Sequence, residues 1–150
     1  MSGYTFGFDG AIRGMRQRQR LIQEGSESAL TDCALLVQGN AVEGIVKTRP
    51  EWAALTPGTI LSKMRAGYRS RPERPLFRSG AMMMSIDISE SPGKRMIGTS
   101  TGYSIFHEEG RGKMKRPFMI PALEESKSRF KEMFETRIRL ALARASLTRY

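Results

Sequence analysis

The stretch IGTSTGYSIFHEEGRGKMKRPFMIPALEES, residues 97–126, decides how this chain is organised. It begins with glycine and threonine turn residues around a tyrosine, and it then crosses a basic loop at residues 110–116. Pro121 favours the first turn of a helix, because the N–H that proline lacks would have no helical partner there. We therefore expect an extended segment, a mobile cationic loop and a C-terminal helix anchored by Phe118 and Ile120.

The residues after Pro121 predict that this last helix is amphipathic and packs on a sheet. Apolar side chains recur at near-helical spacing, while lysine, arginine and glutamate occupy the other faces. The apolar positions are Leu123, Phe130, Phe134, Ile138 and Leu142.

Two short segments upstream predict an antiparallel β-hairpin. Residues 84–89 alternate apolar and polar side chains, as in a strand with one buried face that includes Met84. The turn residues SPG follow, and residues 94–99 supply the second strand. Residues 103–108 either continue the sheet or form a short helical turn.

The first third of the chain predicts one long helix. Asp9 is a suitable N-cap, and apolar residues then recur at three- and four-residue steps. Three glycines, Gly25, Gly39 and Gly44, each weaken a helix by about 1 kcal/mol relative to alanine, so we expect a kink or break near one of them. The apolar positions are Ile12, Met15, Ile22, Ala29, Cys33, Leu36, Val37 and Ile45.

The middle of the chain predicts a packing anchor, a short helix and a basic loop. Trp52 is expected to be buried with its N–H bonded. Thr56 and Pro57 have the residue types of an N-cap and a first helical residue, for a helix that stops near Gly67. Residues 68–78, YRSRPERPLFR, contain two prolines and predict a loop whose arginines point outward.

Composition indicates a soluble single domain of 150 residues with a cationic surface. The net charge is +10, from 25 Lys and Arg against 15 Asp and Glu, which favours a polyanion or an acidic partner. Arg13, Arg16, Arg18 and Arg20 crowd the first helix and either meet such a partner or form a solvated face. The single cysteine favours a reducing cytoplasm, and no apolar run approaches the roughly 20 residues that cross a membrane.

A search for catalytic chemistry yields no constellation. With one histidine, the run HEEG cannot be the two-histidine motif of zinc proteases. The run GRGK lacks the upstream glycine of a phosphate loop and has Met114 where magnesium needs a hydroxyl. Asp87 with Glu90 is a weak carboxylate signal, and a Cys33 and His107 pair is disfavoured because Cys33 belongs to the apolar stripe. We predict no catalytic, cofactor or metal site and no enzyme.

Several motifs, taken together and in order, resemble those of a known family. The series begins with Trp52, Leu55, Thr56 and Lys63, and it continues with the runs PLFRSGAMMMSI, IGTSTGY, HEEG and RPFM. This series resembles the virion-morphogenesis or tail-completion proteins of tailed bacteriophages, whose pattern is a Trp and Leu opening, TG-x-L-x-x-SI, IG-x-x-x-x-YA-x-x-HE-x-G and ARPFL. The match covers roughly residues 52–138, with Ser79 in place of the customary threonine and Ser104 in place of alanine.

The resemblance implies an α+β fold in which a long N-terminal and a C-terminal helix flank a small antiparallel sheet. It also implies a homo-hexameric ring at the head-proximal end of the tail, in a virion assembled in the host cytoplasm. The neighbours would be a head-tail connector or stopper, a tail terminator and the tail tube, with genomic DNA passing non-specifically. No cofactor is implied.

These expectations define one domain, residues 1–150, with an extended arm at residues 1–8. The arm and the basic loop are expected to contact subunits or neighbours through Tyr4, Phe6, Phe8, Arg111, Lys113, Lys115, Arg116 and Phe118. Four arginines are expected to face a DNA channel or an acidic partner: Arg65, Arg69, Arg71 and Arg74. The alternatives are an enzyme built around His107 and Glu108, and a stand-alone nucleic-acid-binding module. That module would use the loop at residues 63–78 together with Arg13, Arg16, Arg18 and Arg20.

Overall fold

The computed structural model describes residues 7–111 and 114–147, and within these ranges it contains two long helices, three short helices and one β-hairpin. The α+β class predicted from the sequence is confirmed. The helices are α1 (Asp9–Lys47), α2 (Pro57–Arg65), α3 (Ala81–Met84), α4 (Ser104–Glu109) and α5 (Met119–Leu147), and the strands are β1 (Ile86–Ser91) and β2 (Lys94–Thr99).

The two long helices lie antiparallel against each other. In the second half of α1, the Cys33 thiol lies 4.0 Å from the sulfur of Met133, and further along, the Asn40 amide donates to the Ser126 hydroxyl at 2.9 Å. Contacts therefore move backward along α5 as α1 advances. The C-terminal helix, expected to pack on the sheet, thus has α1 as its main neighbour.

Helix α1 runs without interruption for 39 residues, so the predicted break at a glycine is wrong. Gly25 allows α5 to approach closely, since a Cβ there would stand 2.9 Å from the Cα of Ile138. Gly44 leaves room for the Arg49 guanidinium, whose Nε would lie 2.7 Å from an added Cβ. Asp9 is the first helical residue rather than the N-cap.

The predicted hairpin is present and packs on α1. Strands β1 and β2 pair antiparallel from Ile86 opposite Thr99 to Ser91 opposite Lys94, which leaves a two-residue turn. Gly93 of that turn has φ 69°, a value that glycine adopts without strain. The hairpin is held to α1 by the Gln38 amide, which donates to the Ile86 carbonyl at 2.8 Å.

The first strand begins later than its alternating pattern predicted. Met84 is the last residue of α3 and is 79% exposed, so it does not belong to the buried face of a strand. Gly80, at φ 81°, starts this short helix from a left-handed conformation. Residues 104–109 form the helical turn that was one of two alternatives for that segment.

The short helix after the tryptophan forms as predicted. The Thr56 hydroxyl accepts from the Thr59 N–H at 3.3 Å, and Pro57 is the first helical residue. The helix ends at Arg65, two residues before Gly67, which has φ 88°.

The core lies where the C-terminal part of α1, the start of α5 and the hairpin meet. Phe118 is only 1% exposed, whereas Ile120 is 59% exposed, so only one of the two predicted anchors of α5 is in the core. The core residues are Val37, Ala41, Ile45, Trp52, Leu76, Met82, Ile86, Phe118 and Ala122. Within the described ranges, no helix is both long and apolar enough for a membrane crossing.

Candidate interaction surfaces

The N-terminal part of α1 is the most exposed helical part of the described chain. We call residues 8–24 the exposed segment of α1, because none of them is buried. Phe8 is 76% exposed and Met15 69%, although both are large apolar side chains. Such exposure costs hydrophobic free energy unless another surface covers these residues.

The apolar side chains of the exposed segment continue the face by which α1 packs on α5. Phe8, Ile12, Met15 and Ile22 follow one another at steps of four, three and seven residues, which keeps them on one side of a helix. The same periodicity leads into the buried residues that begin at Gly25. The exposed segment therefore presents a helix-packing face that no described part of the chain covers.

The exposed segment is also basic. All four of its arginines are exposed, against two acids, Asp9 and Glu24. The arginines are Arg13, Arg16, Arg18 and Arg20. A partner for this helix therefore has to meet an apolar stripe and the positive charges beside it.

A second apolar surface lies on the C-terminal half of α5. We call it the α5 groove, and its floor consists of Phe130, Phe134, Ile138 and Leu142. All four side chains are partly exposed. Its rim carries both signs of charge, from Lys131, Glu135 and Arg139. The groove suits an apolar helix face better than a charged ligand.

The runs HEEG and RPFM meet in a structural junction. The Glu108 carboxylate accepts from three backbone N–H groups at the start of α5: those of Phe118 at 2.8 Å, Met119 at 3.2 Å and Ile120 at 2.9 Å. These are the donors that a helix N-terminus leaves unpaired, and a carboxylate also suits the positive end of the helix dipole. Glu108 thus caps α5 from outside that helix.

Further hydrogen bonds tie the same junction to the tryptophan. The Trp52 indole N–H donates to the Pro117 carbonyl at 3.1 Å, and the backbone N–H of Arg116 donates to the His107 carbonyl at 2.8 Å. Trp52 is 6% exposed, which confirms its predicted role as a packing anchor. Trp52, Glu108 and Phe118, which belong to the motifs behind the family resemblance, therefore have roles in the fold.

Two of the predicted contact residues lie in the interior, which corrects that prediction. Arg116 is 8% exposed, its guanidinium donates to the Ala53 carbonyl at 3.0 Å, and burial lowers its pKa. Phe118 belongs to the core. Neither side chain is available to a second protein.

The other predicted contact residues divide between the surface and the part of the chain outside the described residues. Phe8, Arg111 and Lys115 are exposed, and Arg111 forms an ion pair with Glu109. Tyr4, Phe6 and Lys113 lie outside the described residues.

Three of the four arginines assigned to a DNA channel or an acidic partner face outward. Arg65, Arg69 and Arg71 are exposed. Arg74 instead donates through its guanidinium to the carbonyl of Val46, near the end of α1. The expectation that every arginine of this loop points outward is therefore wrong for Arg74.

A cleft of about 460 Å³ lies between α2, the arginine-rich loop, α3 and α4. We call it the cationic cleft, and its polar lining consists of Lys63, Tyr68, Arg78, Ser79, Tyr103 and His107. The rings of Tyr103 and His107 meet edge to face, with centroids 6.4 Å apart. Sequence reasoning missed this site, because its residues come from separate segments that only the fold brings together.

The described residues contain no group of three His, Cys, Asp or Glu side chains that would hold a metal ion. Cys33 is buried in the α1–α5 contact, where burial first and the neighbouring Asp32 second raise the pKa of its thiol. A raised pKa lowers the fraction of reactive thiolate. His107 lines the cationic cleft and not this contact.

Comparison with protein-family models, curated proteins and solved structures finds no match to this chain. The resemblance to tail-completion proteins rests on the motifs quoted above.

Proposed function

We propose that this chain is a structural virion protein of a tailed phage. It forms a ring at the head-proximal end of the tail and is needed for tail completion and head-tail joining. The observation that carries this proposal is the presence of two apolar surfaces on the described chain, the exposed segment of α1 and the partly exposed α5 groove.

A closed ring needs two different surfaces on each copy, because each subunit contacts the next through a head-to-tail interface. The two surfaces are similar in length. At a rise of 1.5 Å per residue, the stripe from Phe8 to Ile22 spans about 21 Å and the groove from Phe130 to Leu142 about 18 Å. In this arrangement the exposed segment of one copy packs along the α5 groove of the next, as one helix packs on another.

Charge supports the same placement. Six copies at +10 each would carry about +60 around the ring. Exposed arginines on the exposed segment of α1 and on the loop after α2 would then meet passing DNA phosphates without reading sequence, or acidic patches on a connector, stopper, tail terminator or tail-tube protein. The capping role of Glu108 also supports a structural function, because both carboxylate oxygens accept from the start of α5.

The test uses two single variants that each damage one surface. Met15→Glu places a charge in the apolar stripe, and Phe134→Glu places one in the groove. Each variant alone is expected to stay monomeric in light scattering, while the wild type forms rings visible by electron microscopy. Mixing the two variants is expected to give dimers and no larger species, since exactly one intact junction forms per pair.

The control is Met84→Glu, which changes a 79% exposed methionine outside both surfaces and should leave the ring unchanged. Rings formed by either surface variant alone would show that other surfaces close the ring. A wild type that is monomeric in solution and absent from particles would disprove the proposed function. In phage particles, removal of residues 1–8 is expected to block head-tail joining.

The exposed arginines favour one other function, that of a nucleic-acid-binding module without sequence specificity. Titration of a duplex oligonucleotide at several salt concentrations tests it, because each neutralised phosphate steepens the loss of affinity with salt. Tight binding by a monomer at physiological salt would favour this alternative over the ring.

A further inference from the structure

The cationic cleft has a chemistry that the proposed ring contact does not require. Its lining includes the ammonium of Lys63 and the guanidinium of Arg78, and no carboxylate from the described residues lines it. Its volume of about 460 Å³ is in the range of ligand sites in proteins.

The positive charges in and beside the cleft are incompletely neutralised. Desolvation lowers the pKa of Lys63, and the positive charges of Arg78 and Arg116 lower it further, while Glu73 opposes them more weakly. The nearby carboxylate of Glu108 is committed to the start of α5. An anion bound between two such cations would stabilise both of them.

The two lining cations are oriented and keep unused donors. Lys63 donates to the carbonyls of Arg74 at 2.6 Å and Phe77 at 3.0 Å, which uses two of the three N–H groups of its ammonium. The Arg78 guanidinium lies 4.6 Å from the centroid of the Tyr68 ring, and this stacking leaves the N–H edge of the guanidinium available to a carboxylate.

The remaining lining decides which kind of anion fits. Pro75, Leu76, Ala81 and Met82 give the cleft an apolar side beside its cations. A free phosphate would leave that side uncovered, and a duplex presents its phosphates on a convex surface that a recessed cleft does not match. An acidic side chain next to an apolar one would contact both the cations and the apolar side of the cleft.

We propose that the cationic cleft binds an acidic segment of a partner protein, with a carboxylate on Lys63 and Arg78 and an adjoining apolar side chain on Pro75 and Ala81. The site goes beyond the ring contact, since it lies on neither of the two surfaces that would join the copies. Failure of this proposal would therefore leave the proposed ring intact, and a failed ring would leave the cleft testable.

The experiment measures fluorescence anisotropy of a labelled peptide of alternating glutamate and leucine, with a glutamine–leucine peptide as the matched probe. The glutamate peptide is expected to bind at least about tenfold more tightly than the glutamine peptide. A charge-assisted hydrogen-bonded pair contributes an affinity difference of about this size. Arg78→Gln should weaken its binding about tenfold. Arg65→Gln, which removes an exposed charge outside the cleft, should change it less than about twofold.

A second variant leaves the charges of the cationic cleft unchanged and fills part of its volume. Ala81→Leu narrows the cleft and is expected to weaken the glutamate peptide while leaving the helical circular dichroism unchanged. The proposal is overturned by equal binding of the two peptides, by equal effects of Arg78→Gln and Arg65→Gln, or by full binding to Ala81→Leu. Displacement of the peptide by inorganic phosphate or duplex DNA at a lower concentration than unlabelled peptide would also overturn it.

Discussion

Glu108 shows how a single side chain fixes where α5 starts. Its carboxylate accepts from the N–H groups of Phe118, Met119 and Ile120, so Glu108→Ala leaves three donors at the helix start without this acceptor. We expect this change to lower the free energy of unfolding by about 1–2 kcal/mol, as measured by urea denaturation.

The matched control is Glu109→Ala, which removes the next carboxylate and its exposed ion pair with Arg111. Exposed pairs contribute less than about 1 kcal/mol. Equal losses for the two variants would show that Glu108 does not act as a cap.

A second residue-scale prediction concerns the ion pair between Arg49 and Glu125. The guanidinium of Arg49, 8% exposed, meets the Glu125 carboxylate at 2.5 and 3.2 Å, and this hydrogen bonding lowers the pKa of Glu125. Because the pKa is lower in the folded state, the pair stabilises the protein above the ordinary glutamate pKa, and that stability is lost as the pH falls through the lowered pKa.

Glu125→Gln should therefore destabilise the protein at neutral pH by less than about 1 kcal/mol, since more than half of the carboxylate side chain is exposed. The difference from the wild type is expected to shrink below the ordinary glutamate pKa and to disappear only below the lowered pKa of Glu125. Urea denaturation at a series of pH values checks this. A difference that persists or grows in acid would contradict the assignment.

At the residue scale, interactions between residues close together in the sequence were predictable, and interactions between residues far apart in the sequence were not. Thr56 next to Pro57 predicted a helix start because the capping hydroxyl of Thr56 and its donor, the Thr59 N–H, lie within three residues. The cap of α5 comes from Glu108, ten residues before its first donor, the Phe118 N–H, and no spacing rule identifies such a pair. Burial of Phe118 instead of Ile120 likewise depends on which way the chain enters the helix.

At the scale of elements, the glycines of α1 act in opposite ways. A Cβ on Gly25 would stand 2.9 Å from the Cα of Ile138 and 3.1 Å from the Arg137 carbonyl oxygen, both of which are backbone atoms that move only if α5 moves. An added Cβ on Gly39 would meet nothing within 4 Å.

Gly25→Ala is therefore expected to destabilise the protein by about 1–3 kcal/mol through overpacking, despite the better helix propensity of alanine. Gly39→Ala should stabilise it by about 1 kcal/mol, because alanine loses less backbone entropy in a helix. Thermal unfolding of both variants shows whether each change raises or lowers the stability of the protein. A stabilised Gly25→Ala would show that α1 and α5 are further apart than described.

Packing explains why α1 has no break at its glycines. A glycine costs about 1 kcal/mol in an isolated helix, but packing against α5 and the hairpin offsets this cost over the C-terminal part of α1. The alternation that included Met84 failed for a related reason, because a run of a few apolar residues fits a helical turn as well as a strand. The hairpin turn was predictable because its residues determine it locally.

For the whole molecule, the two ends of α1 are expected to differ in stability. The exposed segment, residues 8–24, has no buried residue, and an isolated helix of this length is marginal in water. Hydrogen exchange of a monomeric Phe134→Glu variant should therefore be fast at residues 9–20 and slow at residues 29–45.

In the wild-type ring, the exchange of residues 9–20 is expected to slow by at least about tenfold, because the neighbouring copy would cover this segment. Mass spectrometry of peptic peptides measures both states. Equal exchange in ring and monomer would mean that this segment takes no part in the contact between copies.

The candidate surfaces were only partly predictable. The arginines that remain exposed were correctly identified as surface residues, since charge is rarely buried. Arg74 and Arg116 are exceptions, because each donates to a backbone carbonyl inside the fold, and the sequence does not show where such acceptors lie. The α5 groove uses four of the five positions that predicted a packed face, so periodicity identified the stripe but not what covers it.

The buried thiol of Cys33 makes the protein convenient for site-directed crosslinking. It is the single cysteine of the chain, and its raised pKa and lack of exposure keep it from reacting with maleimides. A new cysteine placed at any exposed position would therefore be labelled selectively, without first replacing the native one. Distances between copies in the proposed ring could therefore be measured with labels in an otherwise unaltered protein.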